Sequence, residues 1–214
     1  MPPESRFQVP KSNRRPYGSH RFDTWSPKIG RRVTLFGQRS LRAWVAIEAD
    51  PAIVGFCERP LVLESSKPGR VIDFWVRRAK SEEELWVLLR AAEEDADNKS
   101  ISSPAFLEWS QKQGLMPRLF GPNEPALTDE QFRNWGTVLR YLAANRKLLK
   151  DDLINAVHEA CRADTQLGGL EKQFQHHDPV LIRTALFHLV HRGTVRGAEF
   201  EHALIDPSMR FETI

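Results

Sequence analysis

At 214 residues the chain has room for one large domain or two small ones, and 41% hydrophobic against 28% charged residues supply both a packed core and a polar surface. No apolar run approaches the roughly 20 residues that span a bilayer, and the opening MPPESRFQVPKSNRRP has no apolar centre of the secretory kind. The net charge of +3 is unevenly spread: Arg6, Lys11, Arg14, Arg15, Arg21, Lys28, Arg31, Arg32, Arg39 and Arg42 face only Glu4 and Asp23 in the first 42 residues, whereas Glu82–Glu84, Glu93, Glu94, Asp95 and Asp97 form an acidic run.

Residues 1–21 carry Pro, Ser, Asn and Arg with few apolar anchors, which predicts a basic flexible arm. Such an arm is the footprint of phosphate contacts or a solvated tail. RRVTLFG alternates like a short strand. SLRAWVAIEAD places Leu41, Trp44, Val45 and Ile47 at helical spacing, and Pro51 ends that helix. IVGFCERPLVLES reads as a strand broken by Pro60, and KPG at 67–69 as a turn. VIDFWV and LWVLL then form a strand pair, in which Trp75 and Trp86, like Trp44, fall at core-facing positions. SPAFLEWSQKQG has a Ser cap, an early Pro and a closing Gly114, the punctuation of a helix. LMPRLFG is a short strand, and TDEQFRNWGTVLRYLAANRK a helix capped by Thr128 with acids in its first turn. Strands alternating with helices over 22–147 predict a mixed α/β domain.

Residues 148–214 change character. LLKDDLINAVHEAC, TQLGGLEKQF and DPVLIRTALFHLVHRG read as three helices, the third capped by Asp178 with Pro179 at its first position. TVRGAEFEHAL and MRFETI read as two short strands. Three helices and a hairpin are the order of a winged helix, whose third helix commonly enters the DNA major groove; such domains also dock proteins. Arg183, His188, His191 and Arg192 are expected on or near the polar side of that helix, and Arg196 in the wing. His176, His177 and Asp178 stand together, but Asp178 is better used as a cap than as a metal ligand. Cys57 and Cys161 lack metal-type spacing and are expected as reduced thiols of a cytoplasmic protein.

SPKIGRRVTLFGQRSLRAWVAIEADPAIVGFCERP, residues 26–60, resembles TnsA-like heteromeric transposase endonuclease subunits. Ser26, Lys28 and Arg31 match that family's Ser-x-Lys segment and its nearby Arg. Glu48, Pro51, Ile53 and Val54 match its acid-x-x-Pro-x-Val stretch, and Arg59-Pro60 stands where Gln-Pro is common. VIDFWV matches a PDF strand with Ile72 in place of Pro. WSQKQG, LMPRLF and TDEQFRNWGTVLRYL, with Asn134, follow in the family's order. The resemblance implies a restriction-endonuclease-like PD-(D/E)xK domain over 22–147 and a winged-helix-like domain over 148–214. It also implies Mg²⁺-dependent cutting of 5′ strands at transposon ends, beside a DDE recombinase and an AAA+ ATPase regulator.

Metal-dependent cleavage needs carboxylates to hold Mg²⁺ and a lysine to orient water. Carried over position by position, the family's first Glu falls on Ser40, its second acid on Asp73, its third ligand on Leu88 and its Lys on Arg90. Asp73 is the one retained acid, and a guanidinium is no base near neutral pH; Asp73 paired with Arg90 across the two strands is the structural alternative. A relocated site would have to recruit Glu84, about 13 Å away along the strand, or Glu48, about 12 Å along the helix. The sequence thus predicts a DNA-binding accessory subunit, associated with the nucleoid, without cofactor and with a degenerate site. The alternative is an active endonuclease rebuilt around Asp73 with Mg²⁺. Expected phosphate contacts are Arg14 and Arg15 on the arm, Lys28, Arg31 and Arg32 near the old site, and Arg183, Arg192 and Arg196 in the C-terminal domain.

Overall fold

The structure is a computed structural model that describes residues 6–63, 69–80, 82–90, 104–125 and 127–214. The acids Glu93, Glu94, Asp95 and Asp97, the expected Ser103 cap and most of the 67–69 turn lie outside these residues. Arg21–Ser26 (β1) and Arg31–Phe36 (β2) form a two-stranded sheet. Gln38–Ala49 (α1) buries Ala43, Trp44, Val45 and Ile47, the apolar stripe read from its spacing. Ile53–Glu58 (β3) runs up to Pro60, where the missing N–H ends the ladder, and Val62–Leu63 (β4) pairs antiparallel with Arg70–Val71 (β5). Phe74–Arg78 (β6), Glu83–Leu88 (β7), Pro104–Lys112 (α2) and Met116–Phe120 (β8) follow.

The main sheet has the order β3-β6-β7-β8. β3, β6 and β7 are antiparallel neighbours, and β8 lies parallel to β7. A parallel neighbour needs a crossover, and α2 lies in the connecting segment. Phe74, Trp75 and Val76 of β6 and Leu85, Trp86, Val87 and Leu88 of β7 are all buried. Such unbroken apolar runs fit strands covered on both faces. Cys57, Ile72, Trp75, Leu85, Val87, Phe106 and Leu115 form one core cluster. This is a mixed α/β architecture.

Asp129–Asn145 (α3) begins with a complete capping box: the Thr128 hydroxyl accepts from the Gln131 N–H, and the Gln131 side chain accepts from the Thr128 N–H. Asp151–Ala160 (α4), Thr165–Gln166 (β9), Leu167–Gln173 (α5), Pro179–Arg192 (α6), Val195–Gly197 (β10) and Arg210–Thr213 (β11) complete the chain. β10-β11-β9 form an antiparallel sheet. Asp178 caps α6 by accepting from the Val180 N–H at 2.8 Å, and Gly193 closes it at φ 71°, the left-handed conformation that favours glycine. No described helix is long and apolar enough to cross a membrane.

The chain divides into two compact units. Met1–Thr24, Lys28–Ile47 and Ala52–Ala126 form one; Trp25–Pro27, Glu48–Pro51 and Leu127–Ile214 form the other. α3, expected in the first domain, belongs to the second unit and packs on α6. The boundary therefore falls near 126/127 rather than 147/148. The described part of the arm is docked rather than free. The Phe7 ring meets Trp75 edge-on at 5.7 Å, Arg6 Nη1 donates to the Gln113 carbonyl at 2.7 Å, and the Lys11 N–H donates to the Arg59 carbonyl at 2.9 Å. An aromatic contact and several hydrogen bonds thus hold a segment whose composition reads as disordered.

Candidate functional site

Three of the four positions carried over from the nuclease motif meet in space. Ser40 lies in the first turn of α1, Asp73 immediately before β6 and Arg90 just beyond β7; all three line one cavity of about 100 Å³. Adjacent pairing of β6 and β7 brings the last two together, because Phe74 stands opposite Trp86. Leu88, the fourth position, is a buried core side chain, 5% exposed. The cavity wall also contains Glu58, Arg59 and Arg70, and the arm contributes Ser12 and Arg14.

The retained acid has a structural task. Asp73 Oδ2 accepts the Leu88 N–H at 2.8 Å and lies 3.5 Å from Arg70 Nη2. Its carbonyl accepts the Arg59 N–H at 2.8 Å. Arg70, only 5% exposed, also donates to the Leu88 carbonyl at 2.9 Å. Asp73 and Arg70 thereby tie the entry of β6 to the end of β7. The second carboxylate in the wall, Glu58, takes both terminal nitrogens of Arg31, at 2.8 and 2.6 Å. Two planar forks matched in this way make the strongest kind of protein ion pair. Four guanidinium groups (Arg14, Arg59, Arg70 and Arg90) against two committed carboxylates leave the wall net positive. A divalent cation needs the reverse, so these residues do not fit the Mg²⁺ that the resemblance implies.

The acids considered for a relocated site are engaged elsewhere. Glu84 accepts from Arg78 Nε at 2.8 Å and Trp86 Nε1 at 2.6 Å, with Arg118 at 3.3 Å. Burial pushes its carboxyl pKa up, but the Arg78 and Trp86 hydrogen bonds and the charges of Arg78 and Arg118 outweigh this and hold it below the ordinary range. Glu48, fully buried, accepts from the Ser26 hydroxyl and pairs with His191 Nε2 at 2.8 Å. Among the described residues, no group of three or more His, Cys, Asp and Glu is arranged to hold a metal ion.

No family model matches the chain, and no curated protein matches it in sequence.

Several expected phosphate contacts are engaged by partners within the protein. Lys28 Nζ donates to the Ile53 carbonyl at 2.7 Å, and Arg31 is bound to Glu58. Arg183 Nε is held by Glu171 at 2.5 Å, and Arg196 is paired with Glu212 at 2.7 Å although its side chain is exposed. Arg15 Nε turns back to the Ser19 carbonyl at 2.7 Å. Arg14, Arg32 and Arg192 are exposed. His191 is buried rather than on a polar face. Burial also holds the His188 ring below its ordinary pKa, with the charge of Arg192 adding to the effect. α6 is an interior helix with Ile182, Thr184, Ala185, Leu186, Phe187, Leu189, Val190 and His191 buried, and α3, α4 and α5 all pack on it. That leaves it little outward surface for a groove.

The residue that pattern reading missed is Arg59. Its φ is +47°, uncommon for any residue but glycine. Its Nε and Nη1 are buried without a hydrogen-bond partner. Nη2 donates to Asn13 Oδ1 at 2.9 Å, and Cζ sits 4.5 Å from the Phe36 ring centre. Burial lowers its pKa, the mark of a charge taken from water without full compensation. The one sequence signal was its position where the family the sequence resembles commonly has a glutamine.

Proposed function

We propose that this chain is a DNA-binding accessory subunit of a bacterial heteromeric transposase, TnsA-like but not cleaving DNA, that engages transposon ends in the nucleoid and docks the DDE recombinase or its AAA+ ATPase regulator. The observation that carries the reading is the convergence of Ser40, Asp73 and Arg90 on one pocket in which guanidinium groups outnumber carboxylates. The order α1-β3-β6-β7-α2-β8, with one parallel pair at the sheet's edge, supports a restriction-endonuclease-like first unit. The order α4-β9-α5-α6-β10-β11 supports a winged-helix-like second unit. Because α6 is largely interior, DNA contact is assigned mainly to the first unit, through Arg14, Arg32 and the pocket. The second unit is assigned mainly to protein docking, with Arg192 and Arg196 among its outward cations.

The test combines binding and cleavage. Fluorescence anisotropy on transposon-end duplex should give an affinity that falls steeply with salt, as several phosphate contacts require. Supercoiled plasmid carrying both ends, incubated with the recombinase and Mn²⁺, should show no nicking attributable to this chain. Metal-dependent nicking abolished by Asp73→Ala would refute the non-cleaving reading. Affinity indifferent to salt would remove the DNA reading.

A further inference from the structure

We infer that the pocket at Arg59 binds a phosphate group, in the place where a nuclease of this architecture would hold a divalent cation. The inference rests on the DNA-binding reading for the source of the phosphate, but the site itself is argued from its own chemistry. Buried donors in proteins almost always have acceptors, and an unmet one costs about 1–3 kcal/mol. Arg59 leaves two such donors, Nε and Nη1, inside the protein. Its left-handed backbone adds strain of the kind that persists at ligand clamps. An anion seated at the guanidinium offsets part of this cost: Nε and Nη1 lie on different edges of the group, so one oxyanion reaches one of them.

The surroundings fit one oxyanion. A guanidinium edge suits a phosphate oxygen, and Arg59 Cζ is placed over the Phe36 ring, 4.5 Å from its centre. Arg14 and Arg90 add positive charge, and Ser12, Thr34 and Ser40 line the same wall. Ser40 lies in the first turn of α1, which holds no acidic residue, so the helix end contributes in the same direction. The opposing charges, Asp73 and Glu58, are already matched by Arg70 and Arg31. About 100 Å³ is the space of a few waters at about 30 Å³ each. That is room enough for a single phosphate.

The experiment uses the full chain and two probes. Inorganic phosphate is titrated against thermal unfolding, with chloride at matched ionic strength as reference, for wild type, Arg59→Ala, Arg59→Lys and Arg162→Ala. Arg162 is exposed in the second unit and serves as the control. Saturable stabilisation is expected in wild type and Arg162→Ala, weakened in Arg59→Lys and absent in Arg59→Ala. If Arg59→Ala does not fold, Arg90→Gln replaces it, with a weakened response expected. A wild-type response no larger than with chloride, or an unchanged response in the pocket variant, overturns the inference.

The second probe is a transposon-end duplex with or without a 5′-phosphate. Loss of the Arg59 fork should weaken binding about tenfold or more. A loss confined to the phosphorylated duplex identifies a strand terminus as the source, and an equal loss on both identifies a backbone phosphodiester. Phosphate binding without DNA affinity keeps the pocket and removes the transposon-end reading. DNA affinity indifferent to Arg59, with no phosphate effect, does the opposite.

Discussion

Two buried polar sites in this molecule treat their charges in opposite ways. In the second unit, Glu48 is fully buried, yet one carboxylate oxygen takes the Ser26 hydroxyl and the other pairs with His191. In the first unit, Arg59 is sunk beside an aromatic ring with two donors unmet. The first arrangement is complete and needs nothing from solution. The second is incomplete by two acceptors. A buried polar group with all its partners is architecture, and one lacking them, at a cavity, points to a ligand. Neighbouring residues show the same contrast: Glu58 is fully paired with Arg31, while Arg59 is not satisfied.

Stability measurements test that contrast directly. Arg31→Ala strands the Glu58 carboxylate in the interior and should cost about 3–5 kcal/mol, the usual penalty for breaking a buried pair. Arg59→Ala, one residue further along, should cost less than about 1 kcal/mol, since it removes a ring contact and one exposed hydrogen bond together with two unmet donors. Urea unfolding of both variants decides the point, and equal losses would erase the distinction. Asp73→Ala falls between them. It leaves the Leu88 N–H without its acceptor and removes the carboxylate beside Arg70, for about 1–3 kcal/mol, and leaves nicking at its background level.

A smaller effect appears in acid. Glu84 has a folded pKa below its ordinary value of 4.5, so its contribution to stability is present above that value. It is lost as the pH falls from there through the lower folded value. Thermal midpoints of wild type should therefore decline below about pH 4.5 more steeply than those of Glu84→Gln, which has no such carboxyl. Parallel curves would show that the Arg78 and Arg118 contacts do not hold the charge in solution.

Local chemistry was legible where a residue acts on its own neighbours. Thr128 and Gln131 close a capping box within one turn, Asp178 caps α6 two residues on, and Trp44, Trp75 and Trp86 are buried as their spacing requires. β9 was not legible, because two residues carry no period, and its pairing partner Arg210–Phe211 is remote in sequence. Phe7 was overlooked because composition averages over a segment, whereas its contacts, such as the ring on Trp75, are made by single residues.

The sequence by itself determined the helix ends, the alternation of strands and helices, and the core positions of Trp44, Trp75 and Trp86. Those are properties of residue type and near spacing. Only the tertiary structure decided which cations are held by the protein and which line a pocket. Lys28, Arg31 and Arg183 are cations like Arg14 and Arg59, but their acceptors lie 25, 27 and 12 residues away in the chain. The partner of Glu48 lies 143 residues away. A charge takes its role from the groups that surround it after folding, and spacing along the chain does not encode those groups.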